Sequence, residues 1–313
     1  MPLQLAFLNC YNLYEPSAHS KRGPRTQRGY TSKLSNLAGT IRQAAGNQAP
    51  DVVGLCEVGS EQAARDLAQI LDPGTYAVVW SDVPSTTKPN EPQPGLVILY
   101  KFRRISRTIS GEMKDSPQNG KRHKWIAVEF QLGRKLTDIV WIVVNHWTSD
   151  YKRRVSAAEA LRVTSAKEIG MHFLSLTSTS AEAVILLGDF NCEPFARPFV
   201  GDPRTDRLYA VRERALVIRP SNQLMYAYNP MWRRMGEPDD YEVSLQNNYV
   251  ASRPMGTYPR DKKRQSGWQT LDQIMLTKRL MTGGPLQLLE SSLRVHPPMG
   301  NCSDHHAVCV SLT

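Results

Sequence analysis

The chain has 313 residues, 41% of them apolar and 22% charged, the balance of a soluble globular protein with room for a substantial core. No apolar run approaches the roughly 18 residues that span a bilayer. The five cysteines (Cys10, Cys56, Cys192, Cys302, Cys309) are scattered, without a C-x-x-C pair or zinc-site spacing, and do not suggest a disulfide framework. A formal net charge of +10 favours an acidic partner. The first segment, Met1–Cys10, reads as a strand and not a signal peptide: it has no basic n-region, and Asn9 interrupts the apolar stretch. A cytoplasmic location is therefore expected, with no membrane partner.

Apolar runs suited to buried strands recur at Leu3–Leu8, Asp51–Cys56, Leu96–Tyr100, Ile126–Phe130, Ile139–Val144, Ala183–Leu187, Leu271–Leu276 and Ala307–Leu312. Helical spacing falls between them. Leu34, Leu37, Ala38 and Ile41 share one face, as do Ala63, Leu67, Ile70 and Leu71. Residues Ser156 to Leu176 predict a longer helix, with Ser156 as N-cap and Glu159 at the capping-box position. The stretch 195–258 carries Pro203, Pro220, Pro230, Pro238 and Pro254 and reads as an irregular, loop-rich insertion. Mixed strands and helices of this number predict an α/β class in which two packed sheets lie inside outer helices, in a single domain over residues 1–313.

Polar motifs stand where these strands begin or end: Asn9-Cys10-Tyr11-Asn12, then Glu57 closing Gly54-Leu55-Cys56-Glu57, then Asn145-His146-Trp147. Gly188-Asp189-Phe190-Asn191 follows, then Asp272, and lastly Ser303-Asp304-His305. A carboxylate at the edge of a buried sheet loses hydration and needs a cation, a donor or a raised pKa. Glu57, Asp189, Asp272 and Asp304 cannot all pair with one another, because like charges repel. A hard divalent cation resolves the crowding, since Mg²⁺ accepts carboxylate oxygens and keeps waters for a substrate phosphate. Asn9 and Asn191 add neutral polar atoms, and His146 and His305 can exchange protons near neutral pH. Taken singly each motif is common, because Asp and Asn suit turns; together and in order they suit phosphoester hydrolysis. Cys10, Cys56 and Cys192 beside these motifs read as small buried residues facing away from their polar neighbours.

This ordered set resembles the endonuclease/exonuclease/phosphatase superfamily, which includes exonuclease III and the pancreatic-type deoxyribonucleases. The likeness runs from Leu5 to Val310, and Gly188-Asp189-Phe190-Asn191 and Ser303-Asp304-His305 are its most specific pieces. It implies a four-layer α/β-sandwich, with two central mixed β-sheets packed face to face, helices outside, and the site at one end of the sheets. It further implies Mg²⁺ or Mn²⁺ held by Glu57, with Asn9 and Asp304 close to the metal. Asp189 would position or deprotonate the attacking water, and Asn191 would hold phosphate oxygens. His305 would contact the scissile phosphate with Asp272 orienting it, and His146 would stabilise the transition state or assist the leaving oxygen.

Departures from subfamily patterns narrow the substrate. The Trp-x-Gly-Asp-x-Asn-x-Arg and Pro-Ala-Trp-Cys-Asp-Arg stretches of inositol polyphosphate phosphatases are replaced by Leu187-Gly188-Asp189-Phe190-Asn191-Cys192-Glu193 and Gln269-Thr270-Leu271-Asp272-Gln273. Val58 and Gly59 follow Glu57, where abasic-site enzymes usually carry a nearby Lys. Gly-Asp-Phe-Asn-x-x-Pro, completed by Pro194, also occurs in poly(A)-shortening members, so RNA stands beside DNA. Basic groups at Lys21, Arg22, Arg25 and Arg28, at Lys121, Arg122, His123 and Lys124, at Lys152, Arg153 and Arg154, and at Arg260, Lys262, Lys263 and Arg264 fall on expected loops. Each phosphate they neutralise would release counterions. Asn12, Trp147, Arg153, Arg154 and Tyr258 are therefore expected to bind a nucleic-acid substrate, the aromatics by stacking. Tyr228-Asn229-Pro230-Met231-Trp232 is a candidate groove wall. The expected activity is that of a metal-dependent nuclease. A phosphatase or phosphodiesterase of lipids or small molecules, and a catalytically silent binding module, are the alternatives.

Overall fold

Strands that are apolar on both faces must be covered on both sides, and the fold meets that need with two sheets between two helical layers. A computed structural model of the chain describes residues 2–16, 23–81, 94–114, 125–131, 139–150, 154–175, 183–201, 208–217, 225–235, 256–259, 268–282 and 286–313. The first sheet runs in the order β14 (Leu288–His296), β15 (Ala307–Leu312), β1 (Leu3–Leu13), β2 (Val52–Val58), β4 (Gly95–Lys101), β3 (Tyr76–Trp80). The second runs β5 (Ser106–Lys114), β6 (Trp125–Gln131), β7 (Ile139–His146), β8 (Val184–Asp189), β13 (Asp272–Thr277), β10 (Met225–Tyr228), β9 (Leu208–Val211). Both sheets are mixed: β1 and β2 are parallel, as are β7 and β8, while β15 lies antiparallel to β1 and β13 antiparallel to β8. A short ribbon, β11 (Tyr258–Pro259) with β12 (Trp268–Gln269), stands apart from both.

Three apolar clusters define four layers. The central one joins alternate residues of both sheets, including Leu5, Phe7, Val52 and Val310 of the first and Ile142, Val144, Ile185, Leu187 and Ile274 of the second. The opposite face of the first sheet packs on α1 (Gln27–Ala44) and α2 (Glu61–Leu71). The opposite face of the second packs on α3 (Val155–Ser175), and Phe199 of the short α4 (Arg197–Val200) joins that cluster. This is the α/β-sandwich the sequence led one to expect, and all eight apolar runs are strands within it.

Helix starts follow local chemistry. Thr26 accepts the Gly29 N–H to cap α1, and Ser60 accepts the Ala63 N–H to cap α2, each a contribution of about 1 kcal/mol. The expected Ser156 cap of α3 is corrected. The Arg154 carbonyl takes the Ala157 and Ala158 N–H groups, so the helix begins at Val155 and Ser156 lies inside its first turn. Within 195–258 the described residues form short elements, as expected, yet β9 and β10 also extend the second sheet, beside α5 (Arg214–Val217). Among the described residues no helix is long and apolar enough to cross a membrane.

Gly54 sits where side chains of the second sheet press directly on the first. A Cβ there would stand 2.2 Å from Leu187 Cδ1 and 2.9 Å from Val144 Cγ2. Gly54→Ala is therefore expected to overpack the central core and cost about 1–3 kcal/mol, read as a lower urea midpoint at unchanged slope. An unchanged midpoint would show that Leu187 and Val144 turn aside there without cost.

Candidate active site

Parallel β1 and β2 finish at the same end of the first sheet, and antiparallel β15 starts there. In the second sheet, His146 of β7 stands in register with Asp189 of β8, and Asp189 with Asp272 of β13. In-register neighbours share a face. These three residues extend the inner rows Ile142–Val144, Ile185–Leu187 and Ile274–Leu276, so each points between the sheets at the open end. Asn9 likewise extends the inner row Leu5–Phe7 of β1.

Glu57 needs a different device. Its neighbour Cys56 occupies an inner position, so strict alternation would turn Glu57 away from the site. Glu57 instead adopts φ 58°, at a register shift between β2 and β4, and its Oε1 comes within 3.7 Å of His146 Nε2 in the other sheet. Tyr11 and Asn12 are also left-handed, at φ 45° and 61°, where β1 and β2 lose register. Such strained residues persist only where surrounding contacts hold them. Here the Asn12 N–H donates to Glu57 Oε2 at 3.1 Å.

The two sheets are stitched together at Asp189, which is only 2% exposed. Its Oδ2 accepts Asn9 Nδ2 at 3.1 Å and lies 3.7 Å from His146 Nε2 and 3.9 Å from His305 Nε2. Its Oδ1 accepts the Asn191 N–H at 2.9 Å. His305 Nδ1 meets Asp272 Oδ2 at 2.8 Å, and Asp304 Oδ1 is 4.0 Å from His305 Nε2. The Asn191 side chain donates to the Trp147 carbonyl at 3.1 Å, which fixes its amide plane.

One turn motif recurs around the site, in which a side-chain oxygen accepts the N–H two residues on. Asn9 does this to Tyr11, Asp189 to Asn191 and Ser303 to His305. Sequence assigns Ser303 no role beyond its place in the Ser303-Asp304-His305 motif, yet its hydroxyl also donates to the Asn9 carbonyl at 2.7 Å and so ties β1 to the Asp304-His305 segment. Thr257 is a second residue of this kind. Its hydroxyl takes the Asp272 N–H and its carbonyl the His306 N–H, each at 2.8 Å.

The electrostatics follow from burial. Desolvation would depress the His305 imidazole, but Asp272 and Asp189 outweigh it and push the group up to about 10, so it stands as an imidazolium at neutral pH. Burial, reinforced by Asp272 and partly offset by His305 and by the Asn191 and Asn9 donors, pushes Asp189 up to about 7. His306 goes the other way, down to about 4, through burial and the neighbouring His305 and His296.

The donor set suits a divalent cation. Four carboxylates gather at one end of the sandwich, and Asp272 Oδ1 is buried without a hydrogen-bond partner among the described residues. Donor atoms of Asp189, Asp272 and His305 lie within 4.8 Å of one another, but they are engaged mutually and with Asn9 and Asn191, as a hydrogen-bonded relay. Glu57, with 20% of its side chain exposed, and Asp304 are hard oxygen donors outside that relay and fit the ion better. The Asn9 amide oxygen, which already takes the Tyr11 N–H, completes the group expected from sequence.

Other expected positions fare differently. Trp147 is corrected: its ring is fully buried against Phe190 and Phe199, with Nε1 donating to Asn145 Oδ1, and cannot stack on a base. Tyr258 is half-buried and leans over the His305 ring, with centroids 4.7 Å apart. Arg154 is exposed at the start of α3. Arg28, expected on a loop, lies in the first turn of α1. Arg153, with Lys21, Arg22, Lys121, Arg122, His123, Lys124, Lys152, Arg260, Lys262, Lys263 and Arg264, lies outside the described residues. Cys10, Cys56 and Cys192 are free thiols buried in three different clusters.

A family model described as Endonuclease/Exonuclease/phosphatase family matches residues 10–217. The chain belongs to this family. No curated protein matches the chain. Among solved structures, a humanized TDP2 from D. rerio aligns at TM-score 0.60 and 13% identity, covering 100% of this chain and 99% of that one. ANGEL2, described as a 2′,3′-cyclic phosphatase, aligns at TM-score 0.58 and 14% identity, covering 99% and 95%. D. rerio TDP2 complexed with a single-strand DNA product aligns at TM-score 0.57 and 12% identity, covering 100% and 99%. At these identities the likeness is one of fold.

The Asp272–His305 pair yields a test in metal-free protein. His305 is raised from 6.5 to about 10, so the pair's contribution is whole below pH 6.5 and is lost as pH rises through about 10. Asp272→Asn is expected to cost about 3 kcal/mol at pH 6, with the difference shrinking towards pH 10. NMR of labelled histidine should show His305 titrating several pH units lower in the variant. An unmoved His305 titration would refute the pairing.

Proposed function

We propose that this protein is a divalent-metal-dependent phosphodiesterase that hydrolyses nucleic-acid strands. One observation carries the chemistry: Asp189 is held by Asn9 from the opposite sheet and lies within 4 Å of both His146 and His305. A carboxylate pushed up to about 7 can take a proton from water at neutral pH. In this reading Asp189 accepts the proton of the attacking water. The His305 imidazolium, held by Asp272, neutralises a phosphate oxygen, and Asn191 turns its remaining amide hydrogen to the same group. His146 stands between Glu57 and Asp189, placed to give a proton to the leaving oxygen. Glu57 and Asp304, with Asn9, would hold Mg²⁺ or Mn²⁺, which when bound supplies positive charge to the phosphate.

The nucleic-acid part rests on other support. The net charge of +10 draws polyanions, and Tyr258 beside His305 and exposed Arg154 are suited to a base and a phosphate. The TDP2 structure with a single-strand DNA product shows a protein of this fold on such a ligand.

The test is a cleavage panel of labelled single- and double-stranded DNA and RNA, with phosphoinositide and nucleotide controls, run with Mg²⁺, Mn²⁺ and EDTA. Strand cleavage should require the metal and fall by about 10²–10⁴-fold in Asp189→Ala and in His305→Ala. Binding of the strand should weaken steeply with salt. Turnover of the small phosphoesters alone, with weak salt dependence, would replace the nuclease reading by the phosphatase one. Absence of all turnover would point to a binding module.

A further inference from the structure

Lys33 lies on α1, one residue before the buried Leu34 that docks the helix on the first sheet. Its Nζ donates to the Tyr11 carbonyl at 2.5 Å and stands 5.5 Å from the centre of the Tyr11 ring. That carbonyl and the Asn12 N–H belong to one peptide group, and the N–H end donates to Glu57 Oε2. A single peptide plane is therefore gripped by an ammonium at one end and a carboxylate at the other. Both flanking residues are left-handed, so this peptide is one that could flip, and a flip would turn a carbonyl oxygen on Glu57. Burial lowers the Lys33 pKa from the usual lysine range, and Glu57 and Asp304 are among the groups that partly offset it.

We propose that Lys33 is a positioning residue that fixes the sense of the Tyr11–Asn12 peptide and thereby aims Glu57 at the metal site. The inference rests on the reading above in giving Glu57 a metal, but the peptide clamp itself does not depend on any ion. Lys33 acts across two hydrogen bonds and touches no reacting atom. An uncharged side chain of similar length, as in Lys33→Met, fills the same space and leaves the peptide free to turn. Lys33→Arg keeps a cationic donor over the Tyr11 carbonyl.

Two measurements on the full chain test this. In metal-free protein, the Asn12 amide of Lys33→Met should exchange with solvent at least about tenfold faster than in wild type, with α1 amides unchanged. Lys33→Arg should restore most of the protection. In calorimetric titration with Mn²⁺ alone, Lys33→Met should bind at least about tenfold more weakly, with Lys33→Arg intermediate. An Asn12 amide that exchanges equally in all three proteins overturns the clamp. Faster Asn12 exchange with unaltered Mn²⁺ affinity overturns the aiming of Glu57. If wild type binds no Mn²⁺, the metal reading of Glu57 fails, and the exchange data still decide the clamp. If Lys33→Met loses protection throughout α1, the residue anchors the helix and the proposal falls.

Discussion

Asp189 carries a charge into a place from which water is almost wholly excluded, and the surrounding structure answers that one cost. Bare burial of a carboxylate is expensive enough that the group keeps its proton unless donors and cations are supplied. Here both arrive: Asn9 from the first sheet and Asn191 from the turn after β8 donate, and His305 from the segment before β15 brings a cation to 3.9 Å. Because His305 is in turn held by Asp272, a second buried carboxylate is drawn into the same cluster. The sandwich thus closes around a cluster of charges and not around apolar contacts alone. The cluster is not neutral, since its four carboxylates exceed the cations beside them among the described residues, and such a surplus suits an added divalent ion.

Much of this could be read from the sequence, and the reason is periodicity. A strand that alternates inward and outward places its last inward residue at the mouth of the sandwich, which is why His146, Asp189 and Asp272 meet. The same parity rule identifies Trp147 as outward-facing, toward the helical layer where it is found, so its placement was legible although composition suggested a base-stacking role. Glu57 could not be aimed by parity, because a single left-handed residue reverses its direction and nothing in Gly54-Leu55-Cys56-Glu57 announces it. Lys33 was equally hidden, being one of many helix-surface lysines until the Tyr11 carbonyl turns toward it.

Edge position explains part of what patterning passed over. β3 and β14 lie at the two borders of the first sheet, and β14 buries only Leu288 and Leu293, on either side of a register shift, with Glu290, Ser291, Ser292 and Arg294 among its other residues. β14 thus lacks the continuous apolar run that marks a central strand, whereas β3 is apolar throughout (Tyr76-Ala77-Val78-Val79-Trp80) and was passed over despite its pattern. β9 and β10 are four residues each and lie in a proline-rich stretch, yet Leu208, Ala210, Met225 and Ala227 still pack beneath α3. Short elements of this kind are specified by the surface they cover more than by their own propensity.

The pairing of β15 with β1 has a kinetic meaning. The bond from Ser303 to the Asn9 carbonyl joins residues 294 apart in the chain, and the strands it links are immediate neighbours. Contacts of such separation form slowly, because the loop between them must first be ordered. Asp304 and His305 are placed by that closure, whereas His146 and Asp189 are set side by side by the shorter-range pairing of β7 with β8. A chain without the β1–β15 pairing would lack the imidazolium that completes the cluster. The cluster in this architecture is therefore complete only once β1 and β15 have paired, so its assembly reports on the whole topology and not on any one half of the chain.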